Sequence, residues 1–420
     1  MQTMLSSNDS ELKNTEKSNS VDMLLALRAF ACLLVVSHHS IINMHNNIWL
    51  ENNKSIWPLF SPAWVGIWIF FVLSGYLMGK GFFTDRYSRD KKGAINFYIN
   101  RAIRILPLYY FAILIEILFL SPELLKGINL NILFQLFTFT FNGAYYPPGS
   151  CGFINGALWS ISTECQYYLC VPFLFIFLSP FLKSKKNVYI SILLLLIVGL
   201  IFRVGLMEIF YIKNKVYFWP LWYLKGFSPF TSNLDLFLTG FLLNALLKIK
   251  KTEEVIINNA KNFCITYNFR KYFAVFLMVA LYFFFAYVSY NALVLHIVPY
   301  SLFWVTGGPL ITTVTTAFFI YTFEKENIIH KIKNTKISFK SIKQNPLRFI
   351  EIFGILTYGL YIWHSPILSQ MAPVYKSSVS IIDFLIKFSI AIGFGTILSA
   401  ITYLAIEKPM EKFKKLSGHK

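Results

Sequence analysis

Residues 21–42 read VDMLLALRAFACLLVVSHHSII. A helix rising 1.5 Å per residue needs about 20 predominantly apolar residues to cross a hydrocarbon core of ~30 Å, and this run supplies them. Working outward, further runs of the same kind lie near 62–83, 97–120, 156–182, 187–206, 232–249, 270–291, 301–323, 349–372 and 379–406. Of the 420 residues 56% are hydrophobic and only 14% are charged, against about 25% charged in a soluble domain. The expected fold is therefore all-α: a polytopic membrane bundle of about ten transmembrane helices. A shorter apolar segment, 128–142, is too short to cross and is expected to lie along the membrane surface or to re-enter it.

Charge placement orients the bundle. Lysine and arginine favour the cytoplasmic side of a membrane. The connections after the second, fourth, sixth and eighth spans, together with the C-terminal tail, hold 25 of them; the intervening connections hold six. Arg86, Arg89, Lys91 and Lys92 follow the second span, for example, whereas Lys126 stands alone after the third. The bias alternates at every crossing, which places both termini in the cytoplasm. The net charge of +19 is mostly this topological signal, so a nucleic-acid role is not expected, although anionic lipid head groups would be attracted to the same residues. Residues 1–20 lack the basic-then-apolar order of a cleaved signal peptide and read as a disordered cytoplasmic tail. Residues 411–420 read as a basic cytoplasmic tail. The five cysteines have neither a disulfide framework nor metal-ligand spacing, and no metal is expected.

Ionisable residues inside the spans carry the functional argument, because each costs roughly 2.5–3.5 kcal/mol to insert at the bilayer centre. Arg28 sits near the inner end of the first span and His39 eleven residues further on. That separation is about 16 Å of helix rise, and eleven steps of ~100° return to nearly the same direction, so the two share a face while His38 points away. Such a stripe can grip a long anionic ligand. Equally, the arginine can snorkel to lipid phosphate and the histidine bond within the bundle. Arg101 and Arg104, three apart in NRAIRILPLYYF, share a face at the inner end of the third span. Two guanidinium forks so placed suit a phosphate, or serve as ordinary interfacial anchors.

Trp159, Ser162 and Glu164 in ALWSISTECQYYL and His364 in TYGLYIWHSP fall at the depth of His39 in the outer part of the membrane. Such a group can hold a general base with its orienting partners, or fix helix packing as a buried polar network. Ser74 and Gly75 read as a close helix-packing site, and Asp383 and Lys387, at i and i+4, as a self-neutralising pair. The Gly- and Pro-rich stretch 141–159 reads either as a lid over an outer cavity or as a passive connector. Glu116, Arg203 and Asp235 have no evident role.

Five segments together resemble the acyltransferase 3 family of integral membrane acyltransferases: LRAFACLLVVSHH at 27–39, FFVLSGYLM at 70–78, RAIRILPLYY at 101–110, LWSISTECQYY at 158–168 and YGLYIWHSP at 358–366, with a weaker sixth, IEKP, at 406–409. The resemblance makes 21–410 a transmembrane acyltransferase domain of ten helices, in the membrane-only form without an extracellular hydrolase-like domain. It implies His39 rather than His38 as the catalytic histidine, with Glu164 or His364 orienting it. It also implies Arg28, Arg101 and Arg104 as part of the acyl-CoA site; Trp159, Ser162 and Tyr361 are read beside it as candidate substrate contacts. Two positions depart from the family pattern: Ala29 stands where glycine is common, and Cys165 follows Glu164 where a second acid is common.

The implied activity is transfer of an acyl group, expected to be acetyl, from cytoplasmic acyl-CoA to a hydroxyl of a surface or lipid-linked glycan, by a multi-pass protein of the inner membrane. The rival from another class is a transporter or flippase of a lipid-linked glycan, using the arginines for substrate charge and His39 for proton coupling. A third reading keeps the chemistry and makes the acceptor a small hydrophobic molecule.

Overall fold

The computed structural model describes residues 17–41, 54–125, 129–143, 155–209, 226–254, 263–295, 298–329, 333–334, 336–371 and 381–417. Most of the expected N-terminal tail and the centre of the 141–159 stretch (144–154) lie outside them.

Every expected span is a helix: α1 (Met23–Ile41), α2 (Ala63–Phe83), α3 (Lys91–Ile115, continued by a π-helical turn Glu116–Leu120), α5 (Leu158–Leu178), α6 (Lys185–Met207), α7 (Phe230–Glu254), α8 (Phe263–Leu293), α9 (Val298–Ile329), α10 (Phe349–Met371) and α11 (Ile381–Thr402, continued by a π-helical turn Tyr403–Glu407). Between α3 and α5 stands the nine-residue α4 (Asn129–Phe137). The last helix, α12 (Lys408–Ser417), occupies most of the expected basic tail. Strand structure among the described residues is one two-residue parallel pair, Lys17–Ser18 with Lys333–Asn334.

Nine of these helices are long and apolar enough to cross a membrane. The tenth expected span, α10, has the length, with 23 residues, but the polar positions Glu351, Thr357, His364 and Ser365 dilute its apolar character. Its packing against α1 and α11 nevertheless makes it part of the bundle's interior. The 128–142 segment does not cross: α4 lies on α3, where the Tyr109 and Tyr110 hydroxyls donate to the Leu136 and Phe137 carbonyls, both at 3.0 Å. The bundle is inverted relative to a soluble protein. Phe173, Phe177, Ile201 and Phe276 point outward, whereas Arg203, Asp235, Glu324 and Arg348 are buried. Only a hydrocarbon surround makes that arrangement favourable.

Glycine sets the closest helix crossing, between α2 and α7. A Cβ on Gly75 would stand 1.9 Å from the Phe237 carbonyl oxygen, and one on Gly240 would stand 1.9 Å from that of Val72. Close approach of two backbones through small residues is how helices associate where lipid removes the hydrophobic incentive. Gly240→Leu is expected to force this crossing apart, costing about 1–3 kcal/mol by overpacking and lowering the midpoint of thermal unfolding in detergent. An unchanged midpoint would show that the two helices are not held at this distance.

Buried pairs tie the rest together. Arg203 donates to both Asp235 oxygens, at 3.0 and 2.8 Å, locking α6 to α7. Asp383 and Lys387 pair as expected, at 2.7 Å. At one end of the bundle, Arg348 reaches Glu351 at 2.9 Å and Asn19 at 2.7 Å, while Asn345 donates to the Asn19 carbonyl at 2.9 Å. Lys248 in the last turns of α7 meets Asp85 after α2 at 3.4 Å. The segment before α1 and the connections after α2, α7 and α9 thus gather at one end, as the alternation of charge requires.

Candidate active site

That same end opens into the interior between α1, α2, α3, α5 and α10. Asp90 caps α3 by accepting from the Gly93 amide at 2.8 Å, and the Ser88 hydroxyl and this amide hold its carboxyl below the usual range. The cap sets the start of α3, and ten and thirteen residues later Arg101 and Arg104 face inward. With Arg28 of α1 they line one cavity of about 130 Å³. All three arginines singled out in the sequence are therefore brought together.

Their pairing differs. Arg104 is held by Glu407 at 3.1 Å and, more loosely, by Glu411 of α12 at 3.8 Å. Arg28 and Arg101 make no ion pair among the described residues, and the Arg101 Nε is buried without a hydrogen-bond partner. The cavity's own carboxylate is Glu164, which accepts from the Ser74 and Tyr168 hydroxyls and lies within electrostatic reach of Arg28. With Arg104 engaged by Glu407 and Glu411, Arg28 and Arg101 face Glu164 as the one lining carboxylate, which leaves a surplus of positive charge in a largely apolar cavity. Such a surplus is costly when empty and well matched to an anion.

Three positions depart from the expectation of one polar group around His39, and a fourth, Ser74, from its reading as a packing site. Glu164 stands with the arginines rather than beside His39. Ser74 is a cavity residue, unlike its neighbour Gly75, which does make the helix crossing. Trp159 turns away, packing edge-on against Phe71 and Phe227 at ring distances of 6.1 and 5.6 Å. Ser162 bonds back to the Leu158 carbonyl of its own helix at 3.3 Å. The cavity-facing serine is Ser160, whose hydroxyl meets the Tyr361 hydroxyl at 2.7 Å. Helical spacing carries the signal that picks it out: Ser160, Glu164 and Tyr168 recur every four residues on one face, and Ser162 is two steps off it.

Beyond Tyr361 the two predicted histidines meet. His39 Nδ1 lies 2.7 Å from His364 Nε2, with the rings 5.0 Å apart and nearly parallel. The Tyr361 ring, 5.5 Å from that of His364, stands between this pair and the cavity. His38 is engaged elsewhere, donating from Nδ1 to the Ser61 carbonyl at 2.9 Å. His364 is fully buried, and its Nδ1 has no hydrogen-bond partner. In the tautomer in which His39 Nδ1–H donates to His364 Nε2, His39 Nε2 keeps its lone pair free. No cluster of three or more potential metal ligands occurs among the described residues.

A family model for an acyltransferase domain matches residues 21–404. Among curated proteins, the chain is 26% identical over 400 residues to the peptidoglycan O-acetyltransferase OatA of Listeria monocytogenes, covering 92% of this chain and 55% of that one. It is 24% identical over 408 residues to a putative peptidoglycan O-acetyltransferase, YrhL, of Bacillus subtilis, covering 94% and 56%. It is 25% identical over 406 residues to the O-acetyltransferase OatA of Staphylococcus aureus, covering 92% and 56%. The chain thus spans about half the length of these relatives. No solved structure matches it.

Proposed function

This chain belongs to the acyltransferase domain family, and from that premise we propose that it moves an acetyl group from acetyl-CoA to a hydroxyl of a cell-envelope glycan. The basic end of the bundle faces the cytoplasm of a cell bounded by this inner membrane, and the donor enters there. One observation carries the reading: two arginines without ion pairs and a third, paired one line one cavity together with Tyr361, whose ring lies 5.5 Å from that of His364 in the histidine pair. The pantetheine arm of CoA spans of order 15–20 Å at standard bond lengths. Arg28 to His39 is about 16 Å of helix rise. A donor whose pyrophosphate sits on Arg28, Arg101 and Arg104 therefore delivers its thioester to His39. The relatives' names point to peptidoglycan as the glycan.

His39 Nε2 takes the proton of the acceptor hydroxyl as its oxygen attacks the thioester carbonyl. The carbon–sulfur bond breaks, the ester forms, and the departing CoA thiolate takes the proton back from His39. His364 fixes the tautomer and ring of His39 through the 2.7 Å bond, and the Tyr361 and Ser160 hydroxyls line the approach of the thioester. Glu164, held by Ser74 and Tyr168, balances the arginines rather than orienting the histidine.

The test is to reconstitute the protein in lipid nanodiscs with acetyl-CoA and cell-wall glycan, and to measure free CoA and alkali-labile acetyl ester together. Glycan-dependent release of both supports the reading. CoA release only with a small hydrophobic alcohol would move the acceptor to that class, and no release with binding and movement of a glycan lipid would favour the transporter. In the same assay His364→Ala is expected to lower kcat about 10- to 100-fold, the scale of losing an orienting partner, and to leave KM for acetyl-CoA near wild type. Equal activity would remove His364 from the machinery.

A further inference from the structure

A second cavity, about 340 Å³, adjoins the first at the basic end of the bundle and shares Arg101 with it. Its other cations are Lys80, near the end of α2, and Arg86, in the turn that follows; Thr84 adds a hydroxyl. No role follows for this cavity from the histidine pair or from the arginine triad. Its size falls in the range of about 300–1,000 Å³ that holds small-molecule ligands.

We propose that this outer cavity is the subsite for the 3′-phosphorylated ribose end of CoA, with Lys80 and Arg86 on the 3′-phosphate. The inference rests on the acetyl-CoA reading above, and the order of groups along the donor carries it. With the thioester at His39 and the pyrophosphate at the arginine triad, the next group along the molecule passes Arg101 and falls into the outer cavity. Charge agrees. A phosphate monoester carries roughly −1.5 to −2 at neutral pH. Lys80, Arg86 and Arg101 face it, and none of the lining residues carries a carboxylate; Glu324, paired with Lys80, and Glu164, in the first cavity, lie outside the lining.

Glu324 also explains how a lysine is held there. It accepts from both Lys80 and the Tyr76 hydroxyl, and from Asn327 at 3.1 Å. The lysine side chain remains 41% exposed, so two of its three N–H donors are left for a ligand. Asp85, the other acid nearby, is drawn off by Lys248 at 3.4 Å.

The experiment compares acetyl-CoA with acetyl-dephospho-CoA, which lacks only the 3′-phosphate, on wild type, Arg86→Ala and Lys80→Gln. Wild type is expected to prefer acetyl-CoA by about 10- to 100-fold in kcat/KM, the scale of charge-assisted contacts. Each variant is expected to lose much of that preference while using acetyl-dephospho-CoA as wild type does. Arg86 is exposed and does not touch Glu324, its guanidinium lying over the Tyr87 ring at 5.7 Å, so its variant reports even if Lys80→Gln unsettles Glu324. Wild type that uses both donors equally, or variants that keep the full preference, overturns the subsite and leaves the acetyl-CoA reading standing. Wild type that uses neither donor overturns both.

Discussion

His39→Ala is expected to lower kcat for acetyl transfer by about 10²- to 10⁴-fold, the contribution of a positioned general base, while acetyl-CoA binds as to wild type. The separation of the two effects follows from place. His39 touches His364 and Tyr361's side of the site, at the far end of α1 from the cavity where the arginines stand. Losing the imidazole removes proton transfer and leaves the anion site unaltered. His38→Ala is a demanding control, because the adjacent ring donates to the Ser61 carbonyl and packs against Phe60 edge-on at 5.9 Å. It should affect stability more than kcat. Turnover of His39→Ala at the wild-type rate would falsify the assignment of the base.

The second large effect is on donor binding. Arg101 stands at the junction of the two cavities and its Nε lacks a protein partner. Arg101→Ala is expected to weaken acetyl-CoA binding by ~10- to 100-fold, or about 1.5–3 kcal/mol for hydrogen bonds to a charged group. Arg101→Lys should recover only part of the loss, since an ammonium keeps the charge and lacks the fork. Arg104→Ala should cost less, because Glu407 and Glu411 already divert that guanidinium. Binding measured by calorimetry with the non-transferable product CoA separates these losses from changes in chemistry. If Arg101→Ala binds CoA as wild type does, the phosphates lie elsewhere.

Much of this arrangement was legible in the sequence. Every expected span became a helix, and the stripe from Arg28 to His39 led to both the arginine cavity and the histidine pair, because helical period and rise are fixed by the backbone. What depth could not supply was azimuth. Trp159, Ser160, Ser162 and Glu164 lie within about one and a half turns, so all four stand at similar depths and point in different directions. In a soluble helix an apolar stripe marks the inward face; α5 has apolar residues all round, since lipid and interior are equally greasy. Hence the expected substrate contacts are Ser162 and Trp159, whereas Ser160 faces the cavity and Trp159 packs against Phe71 and Phe227. Ser74 beside Gly75 shows the same limit, with one residue on the cavity and the next in the crossing. Arg203 and Asp235 lie 32 residues apart, and only the packing of α6 on α7 reveals their pairing.

The histidine pair joins residues 325 positions apart, and Arg104 rests on Glu407 from the turn that follows α11. A ribosome delivers α1, with its half of the pair, long before α10 exists to meet it, and the carboxylate that steadies Arg104 emerges later still. The nascent protein therefore cannot assemble the histidine pair until α10 has joined α1 in the bundle, and the site stays incomplete while the intervening helices are threaded into the bilayer.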